Sequence, residues 1–253
     1  RSLMAGERKA VLLGNAAAHH AQAAQLLALA NWIGEHTGAT VGYLTEAANT
    51  VGAQFVGAHP VKGGLNAAQM LSGGLKAVLL LNNEPVHDSS AGARATDALS
   101  GAEMVVTLSP FKANMEFSDV LLPIAPFTET SGSFINAEGR LQSFHAVVRP
   151  LGDTRPAWKV LRVLANMLEI PGFDFETSQD VLVRATNAAP GAFSQIDAAQ
   201  LSNAVAGGVT AAVSGAAGEP VVASIYQLDG LVRRSPSLQL TADARMAREE
   251  VAA

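Results

Sequence analysis

Short apolar runs alternate with helix-like stretches along the first half of the chain. The runs lie at residues 9–13, 40–44, 76–81, 103–108 and 119–122, and each has the length of a buried strand. Between the first two, residues 20–36 place Leu26, Leu29 and Ile33 on one face at helical spacing. Another helix is predicted over residues 91–100. This alternation predicts an α/β fold with a mainly parallel, twisted sheet and helices on both faces.

The second half of the chain changes character. Residues 158–170, with Pro156 at their start, form an amphipathic pattern, and residues 178–186 predict another helix. Residues 188–218 are rich in Ala, Gly and Ser and predict a linker. A strand is expected at 220–224 and a charged helix at 243–253. We therefore predict an α/β domain over 1–186, a linker over 187–219, and a carboxyl-terminal segment over 220–253 that leads toward a missing domain.

Composition excludes several classes of function. The chain has 253 residues, a net charge of −5 and no cysteine. Without thiols it has no disulfide, cysteine-ligated cluster or thiolate zinc site. The negative charge disfavours nucleic acid as a partner. No apolar run reaches the ~20 residues that cross a bilayer, so no direct membrane insertion is expected. A first residue that is Arg rather than Met favours a fragment of a longer protein.

The most informative segment runs from Asp119 to Gln142. Its apolar start ends at Pro123, which has no N–H to continue a ladder. A dense polar stretch follows, and the carboxyl end of an α/β strand is where such folds bind ligands. The candidate binding residues follow the first, third and fifth strands: Asn15, Asn82, Glu84, Glu129, Gly132, Asn136, Glu138 and Arg140.

This segment resembles the molybdopterin oxidoreductase superfamily, in which a run A-D-V-x-L-P precedes E-x-x-G-x-x-x-N-x-E-G-R-x-Q beside the pterin nucleotide site. Residues 122–144 are most similar to the large iron–sulfur subunits of bacterial respiratory complex I, the NADH–quinone oxidoreductase, and residues 226–241 are similar to them too. That branch is held to lack the molybdenum cofactor. The resemblance implies a vestigial site, no catalytic residue and no metal or other cofactor in this fragment.

The same resemblance implies a larger assembly. Iron–sulfur clusters would lie in the missing amino-terminal part of the large subunit, and the other peripheral-arm subunits of complex I would be the partners. The complex transfers electrons from NADH to quinone with proton translocation, at the cytoplasmic side of the bacterial inner membrane. This region would be a peripheral scaffold without its own redox centre.

Two alternatives remain open. One is a genuine molybdopterin enzyme such as a formate dehydrogenase, with its metal ligand in the missing part; the other is a plain nucleotide-binding module. Against a bound nucleotide, Glu84 follows the third strand, where its carboxylate would repel phosphate. Glu129, Glu138 and Arg140 could form an acid–base set, but an ion pair between Arg140 and Glu129 or Glu138 that orders the loop is favoured.

Overall fold

A computed structural model describes residues 2–18, 20, 22–45, 47–89, 91–197, 201–205, 208–212 and 224–246. The chain divides into two compact units, Arg1–Thr50 with Asp197–Ala253, and Val51–Ile196. The predicted domain boundaries at 186 and 219 stay a prediction. The strand predicted at 220–224 and the helix at 243–253 lie mostly outside the described residues.

The first unit contains a two-stranded parallel sheet. Its elements are α1 (Ser2–Ala5), β1 (Ala10–Leu13), α2 (Asn15–Ala18), α3 (Ala23–Thr37) and β2 (Thr40–Tyr43), followed later by α10 (Ile225–Leu228), a 3₁₀ turn (Val232–Arg234) and α11 (Pro236–Gln239). β1 pairs with β2 from Ala10 opposite Thr40. Helix α3 ends at Gly38, whose φ of +72° suits glycine and whose N–H donates to the carbonyl of Gly34.

The second unit contains most of the predicted α/β alternation. Its elements are α4 (Thr50–Phe55, at the boundary), α5 (Ala67–Met70), β3 (Ala77–Leu81), α6 (Pro85–Asp88), α7 (Arg94–Ser100), β4 (Met104–Ser109), β5 (Val120–Pro123), a 3₁₀ turn (Phe127–Glu129), β6 (Gly132–Ile135), β7 (Leu141–Phe144), α8 (Ala157–Met167) and α9 (Ser178–Thr186). Helix α8 ends before the predicted residue 170 because Glu169 has a φ of +55°.

The central sheet of this unit is parallel, in the order β3–β4–β5. On one face Val105 packs with Leu99 of α7 and with Phe117, and all three are buried. The predicted α/β class with parallel strands and helices is confirmed. The structure adds that the described strands form two parallel sheets and one antiparallel hairpin, β6–β7. Strand pairing is a long-range property, and the apolar runs do not encode it.

Residues 193–196 dock on the hairpin. The Ile196 N–H donates to the Gly139 carbonyl at 2.8 Å, and the Ser194 carbonyl accepts the Leu141 N–H, also at 2.8 Å. Ile196 is 3% exposed, and Phe193 lies 5.1 Å from Phe55 between ring centroids. Residues 193–196, which lie within the predicted 187–219 linker, are thus packed, because Phe193 and Ile196 supply apolar area that the surrounding Ala and Gly lack.

Candidate functional site

The sheet's carboxyl edge passes directly into the polar part of residues 119–142, which we call the signature loop. Strand β5 ends at Pro123 opposite Ser109, as predicted from the missing N–H of proline. The Ile124 N–H still reaches the Ser109 carbonyl at 3.2 Å, and the Ala125 N–H donates to the Arg155 carbonyl at 2.9 Å. The loop therefore leaves the sheet at the edge where α/β proteins bind ligands.

Asp119, the first residue of the signature loop, has a structural role. Its carboxylate Oδ2 accepts the Val105 N–H at 2.7 Å, while its own N–H donates to the Val105 carbonyl at 2.9 Å. Val105 is 1% exposed at the start of β4. A buried N–H without an acceptor is costly, so Asp119 completes the pairing where β4 and β5 begin.

The run from Asn136 to Arg140 forms the turn of the β6–β7 hairpin. The Gly139 N–H donates to the Asn136 carbonyl at 2.9 Å, and the Asn136 N–H donates to the Arg140 carbonyl at 3.1 Å. Gly139 has a φ of +82°, which a residue with a Cβ adopts only at a cost. The Asn136 side-chain oxygen accepts the N–H groups of Glu138 at 3.1 Å and Arg140 at 2.9 Å. The fold itself thus requires Asn136 and Gly139 at these positions.

Gly132 is set by the opposite end of the same hairpin. It pairs with Phe144, and a Cβ built on it would lie 2.7 Å from Cζ of that ring. The Phe144 ring also meets Phe134 edge-on, with centroids 5.2 Å apart. A side chain at position 132 would therefore require the Phe144 ring to move.

The expected ion pair of Arg140 is not formed. Arg140 is exposed, and neither Glu129 nor Glu138, both of which the structure describes, pairs with its guanidinium. Glu129 instead uses Oε2 to accept the Leu151 N–H at 2.9 Å. The prediction is wrong for two reasons: Glu129 lies before the first strand of the hairpin, whereas Arg140 lies at its turn. Glu138 is also at the turn, but its side chain and that of Arg140 are both exposed, and water competes for such charges. The signature loop is ordered by hydrogen bonds between backbone groups and by backbone N–H groups that donate to the side chains of Asp119, Asn136 and Glu129.

The turn after β3 contains Asn82 and Glu84, and it places the Glu84 backbone beside the carboxylate of Asp88. Asn82 has a φ of +49° and donates its N–H to the Leu108 carbonyl at 2.8 Å. Glu84 precedes helix α6, and its N–H donates to Oδ2 of Asp88 at 2.7 Å. The Asn83 carbonyl accepts the Asn114 side-chain amide at 2.9 Å. This turn is therefore closed by the protein's own acceptors.

The candidate residues of the second unit do not form one cluster. Glu129 and Gly132 flank the start of the hairpin, and Asn136, Glu138 and Arg140 lie at its turn. The turn after β3 holds the other two candidates of this unit. Asn15 belongs to the first unit, where it begins α2. The described residues contain no group of three or more His, Asp or Glu side chains that could hold a metal ion.

A basic groove lies beside the signature loop, and sequence reasoning missed it. It has a volume of about 600 Å³ and is lined by Arg149, Arg155 and Lys159, by Trp158, and by the carboxylates of Glu129 and Glu176. The start of α9 forms one wall, where Ser131 Oγ and Ser178 Oγ lie 2.7 Å apart. The signal in the sequence was three basic residues within 149–159, interrupted by Pro150 and Pro156.

Asp180 fixes the beginning of α9 at this groove. Its carboxylate accepts the N–H of Thr177 at 2.8 Å and that of Glu176 at 3.0 Å, and the Thr177 hydroxyl accepts the Asp180 N–H. The backbone hydrogen bond from Thr177, then that from Glu176, lowers the pKa of Asp180 below its ordinary 3.8.

Comparison with known protein families now decides the family. The profile of the Molybdopterin oxidoreductase family matches residues 7–167, more than half of the chain. The chain belongs to this family. Within the part that the structure describes, no helix has both the length and the apolar character needed to cross a membrane.

Curated relatives carry oxidoreductase names. The chain is 37% identical over 75 residues to "Probable oxidoreductase YjgC" of Bacillus subtilis (strain 168), which is 30% of this chain and 8% of the relative. It is 42% identical over 59 residues to "Putative formate dehydrogenase SAB2186c" of Staphylococcus aureus (strain bovine RF122 / ET3-1), which is 23% of this chain and 6% of the relative. The matches thus span less than a tenth of these relatives.

The family implies a pterin nucleotide, and the turn after β3 does not fit its phosphates. Glu84, which is half-buried, and Asp88 place two carboxylates at the start of α6. Asp88 already accepts the Glu84 N–H, which is the kind of donor that a phosphate would use. Like charges would repel a phosphate at this turn.

Proposed function

We propose that this chain is a scaffolding portion of a larger oxidoreductase and carries no redox centre of its own. The observation that carries this proposal is the use of the candidate side chains by the fold. Asn136 holds the hairpin turn, Glu129 holds the Leu151 N–H, and Asp88 closes the turn after β3. Side chains that already hold the fold in this way support a structural role.

One candidate for the larger protein is the large iron–sulfur subunit of respiratory complex I. Its support is the resemblance of residues 122–144 and 226–241, together with the carboxylates of Glu84 and Asp88 that disfavour a phosphate. In this proposal the clusters lie in another part of the subunit, and the chain contacts other peripheral-arm subunits on the cytoplasmic side of the membrane. The complex as a whole oxidises NADH, reduces quinone and translocates protons.

The second candidate is a molybdopterin-dependent enzyme such as a formate dehydrogenase. The relatives named as formate dehydrogenases favour this candidate more than they favour complex I. The metal ligand would then lie outside this chain, which has no cysteine. The residues of this chain would still have a structural role in that enzyme. The hydrogen bond from the Glu84 N–H to Asp88 would have to break before a phosphate could bind at the turn after β3.

The experiment that tests the proposal is the metal and nucleotide content of the full-length protein. We expect molybdenum and guanine nucleotide to be absent and iron to be present, with NADH–quinone activity in the parent assembly. About one molybdenum per polypeptide, with formate oxidation, would overturn the first candidate in favour of the second. A thermal shift of the 253-residue chain with guanine nucleotides would overturn the scaffold role itself and support a nucleotide-binding module.

A further inference from the structure

Hydrogen bonds tie several of the segments that line the basic groove. Ser131 Oγ joins Ser178 Oγ at 2.7 Å, and the Leu151 N–H donates to Glu129 Oε2 at 2.9 Å. The backbone carbonyl of Arg155, another lining residue, accepts the Ala125 N–H at 2.9 Å. Helix α8, which contributes Trp158 and Lys159 to the lining, is tied to the segment preceding α9 through Arg162, whose Nη1 donates to the Phe175 carbonyl at 2.6 Å. These bonds make the groove a preformed surface.

The groove has positive charge that the fold leaves without a carboxylate partner. Within the described part of the chain, Arg149, Arg155 and Lys159 form no ion pair. Arg155 Nη1 donates to the Thr154 carbonyl at 2.7 Å, and Lys159 Nζ lies 5.3 Å from the centre of the Trp158 ring.

Two carboxylates also line the groove, so three positive charges stand against two negative ones. One of the two, on Glu129, already accepts the Leu151 N–H. The whole chain carries −5, so a groove with excess positive charge is a local feature that favours an acidic occupant.

Exposed apolar side chains, which we call the apolar rim, neighbour lining residues of the groove along the chain: Val147 and Val148 precede Arg149, Leu151 follows Pro150, and Phe127 lies two residues before Glu129. Val147 is 81% exposed, Leu151 78%, Phe127 58% and Val148 55%. The segment that carries Val147 and Val148 is anchored, because both of their N–H groups donate to the Thr128 carbonyl, at 2.8 and 3.4 Å. Exposed but ordered apolar side chains, together with the Trp158 and Arg149 of the groove, are typical of protein–protein interfaces.

We propose that the basic groove and its apolar rim form a docking surface for a segment of a partner protein that carries a carboxylate flanked by apolar side chains. The carboxylate would lie between Arg149 and Lys159, and the apolar side chains would cover Val147 and Leu151. A small anion would use the groove and leave the rim exposed. This inference rests on the proposed scaffolding function, because it names the chemistry of what the scaffold holds.

The first test reverses charge in the full-length protein within its own assembly. We expect Arg149→Glu to lower the affinity for the partner about fivefold, measured as the fraction of the protein in its largest assembly on native electrophoresis over a dilution series. Higher salt should likewise lower the affinity of the unsubstituted protein for the partner. Lys112→Glu, at an exposed site outside the groove, is the matched control. Equal assembly of the Arg149→Glu and Lys112→Glu proteins would overturn the proposal.

The second test identifies the occupant. A photo-crosslinking amino acid replaces Leu151, and the matched control replaces Met167, which is 77% exposed on α8. We expect crosslinks from position 151 to another polypeptide, at a peptide with Asp or Glu beside apolar residues. A crosslink to a second copy, to another part of the same polypeptide or to a peptide without a carboxylate would overturn the proposal. Neither test measures molybdenum or nucleotide content, which are the measurements that test the scaffolding function. A failure of the docking surface can therefore be distinguished from a failure of the scaffolding function.

Discussion

Replacing Asn136 with Ala should destabilise the unit that contains the signature loop. The substitution removes the side-chain oxygen that accepts the N–H groups of Arg140 at 2.9 Å and Glu138 at 3.1 Å. A hydrogen bond of this kind contributes about 0.5–1.5 kcal/mol, and the turn is partly exposed, so water offsets some of the loss. We expect a loss of about 1–2 kcal/mol in the free energy of unfolding.

The measurement is urea unfolding of the 253-residue chain, followed by the fluorescence of Trp158 in a Trp32→Phe background. With a slope of about 2 kcal/mol per molar urea, the expected loss lowers the midpoint by about 0.5–1 M. Asn136→Asp keeps the acceptor oxygen and should stay within about 0.5 kcal/mol of the parent protein. An unchanged midpoint for Asn136→Ala would refute the reasoning. An Asp variant as unstable as the Ala variant would show that the amide group, and not the oxygen, is what the protein requires.

Other contacts give three further expectations. Arg140→Ala should change the free energy of unfolding by less than about 0.5 kcal/mol in the same assay, because the Arg140 side chain is exposed and forms no ion pair with Glu129 or Glu138. A larger loss of stability would instead support the ion pair predicted from the sequence. Ile196→Ala should lower the free energy of unfolding by about 2–4 kcal/mol, because this side chain is 3% exposed. Limited proteolysis of the variant should then cut near residue 196. An unfolding midpoint equal to that of the parent protein would show that the segment is not docked. The ionised Asp180 stabilises the folded protein above pH 3.8, and that contribution is lost as the pH falls through its lowered pKa. The Asp180→Asn variant should therefore lose less stability than the parent protein between about pH 5 and 2. Parallel curves of unfolding free energy against pH for the two proteins would refute this.

Residues close in sequence carried much of what could be predicted. The five apolar runs became β1 to β5 within one or two residues, because a buried strand needs only a short apolar run and local breakers. Pro123 ended β5 for the reason expected from its missing N–H. Helix α9 occupies 178–186 as predicted, since its Thr177 cap, Asp180 and apolar positions all lie within one stretch. The signature pattern likewise pointed to the correct family.

Tertiary structure decided the meaning of the candidate site. From sequence alone, Arg140 was expected to pair with Glu129 or Glu138, yet in the structure the Arg140 N–H donates to the Asn136 side chain and the Glu129 carboxylate accepts the Leu151 N–H. The basic groove could not be predicted, because Glu129, Arg149 and Glu176 come together only when distant segments pack. A hydrogen bond within a turn depends on neighbouring residues and can be inferred from a short pattern. A groove depends on pairings across tens of residues, and these are determined by the packing of the whole unit.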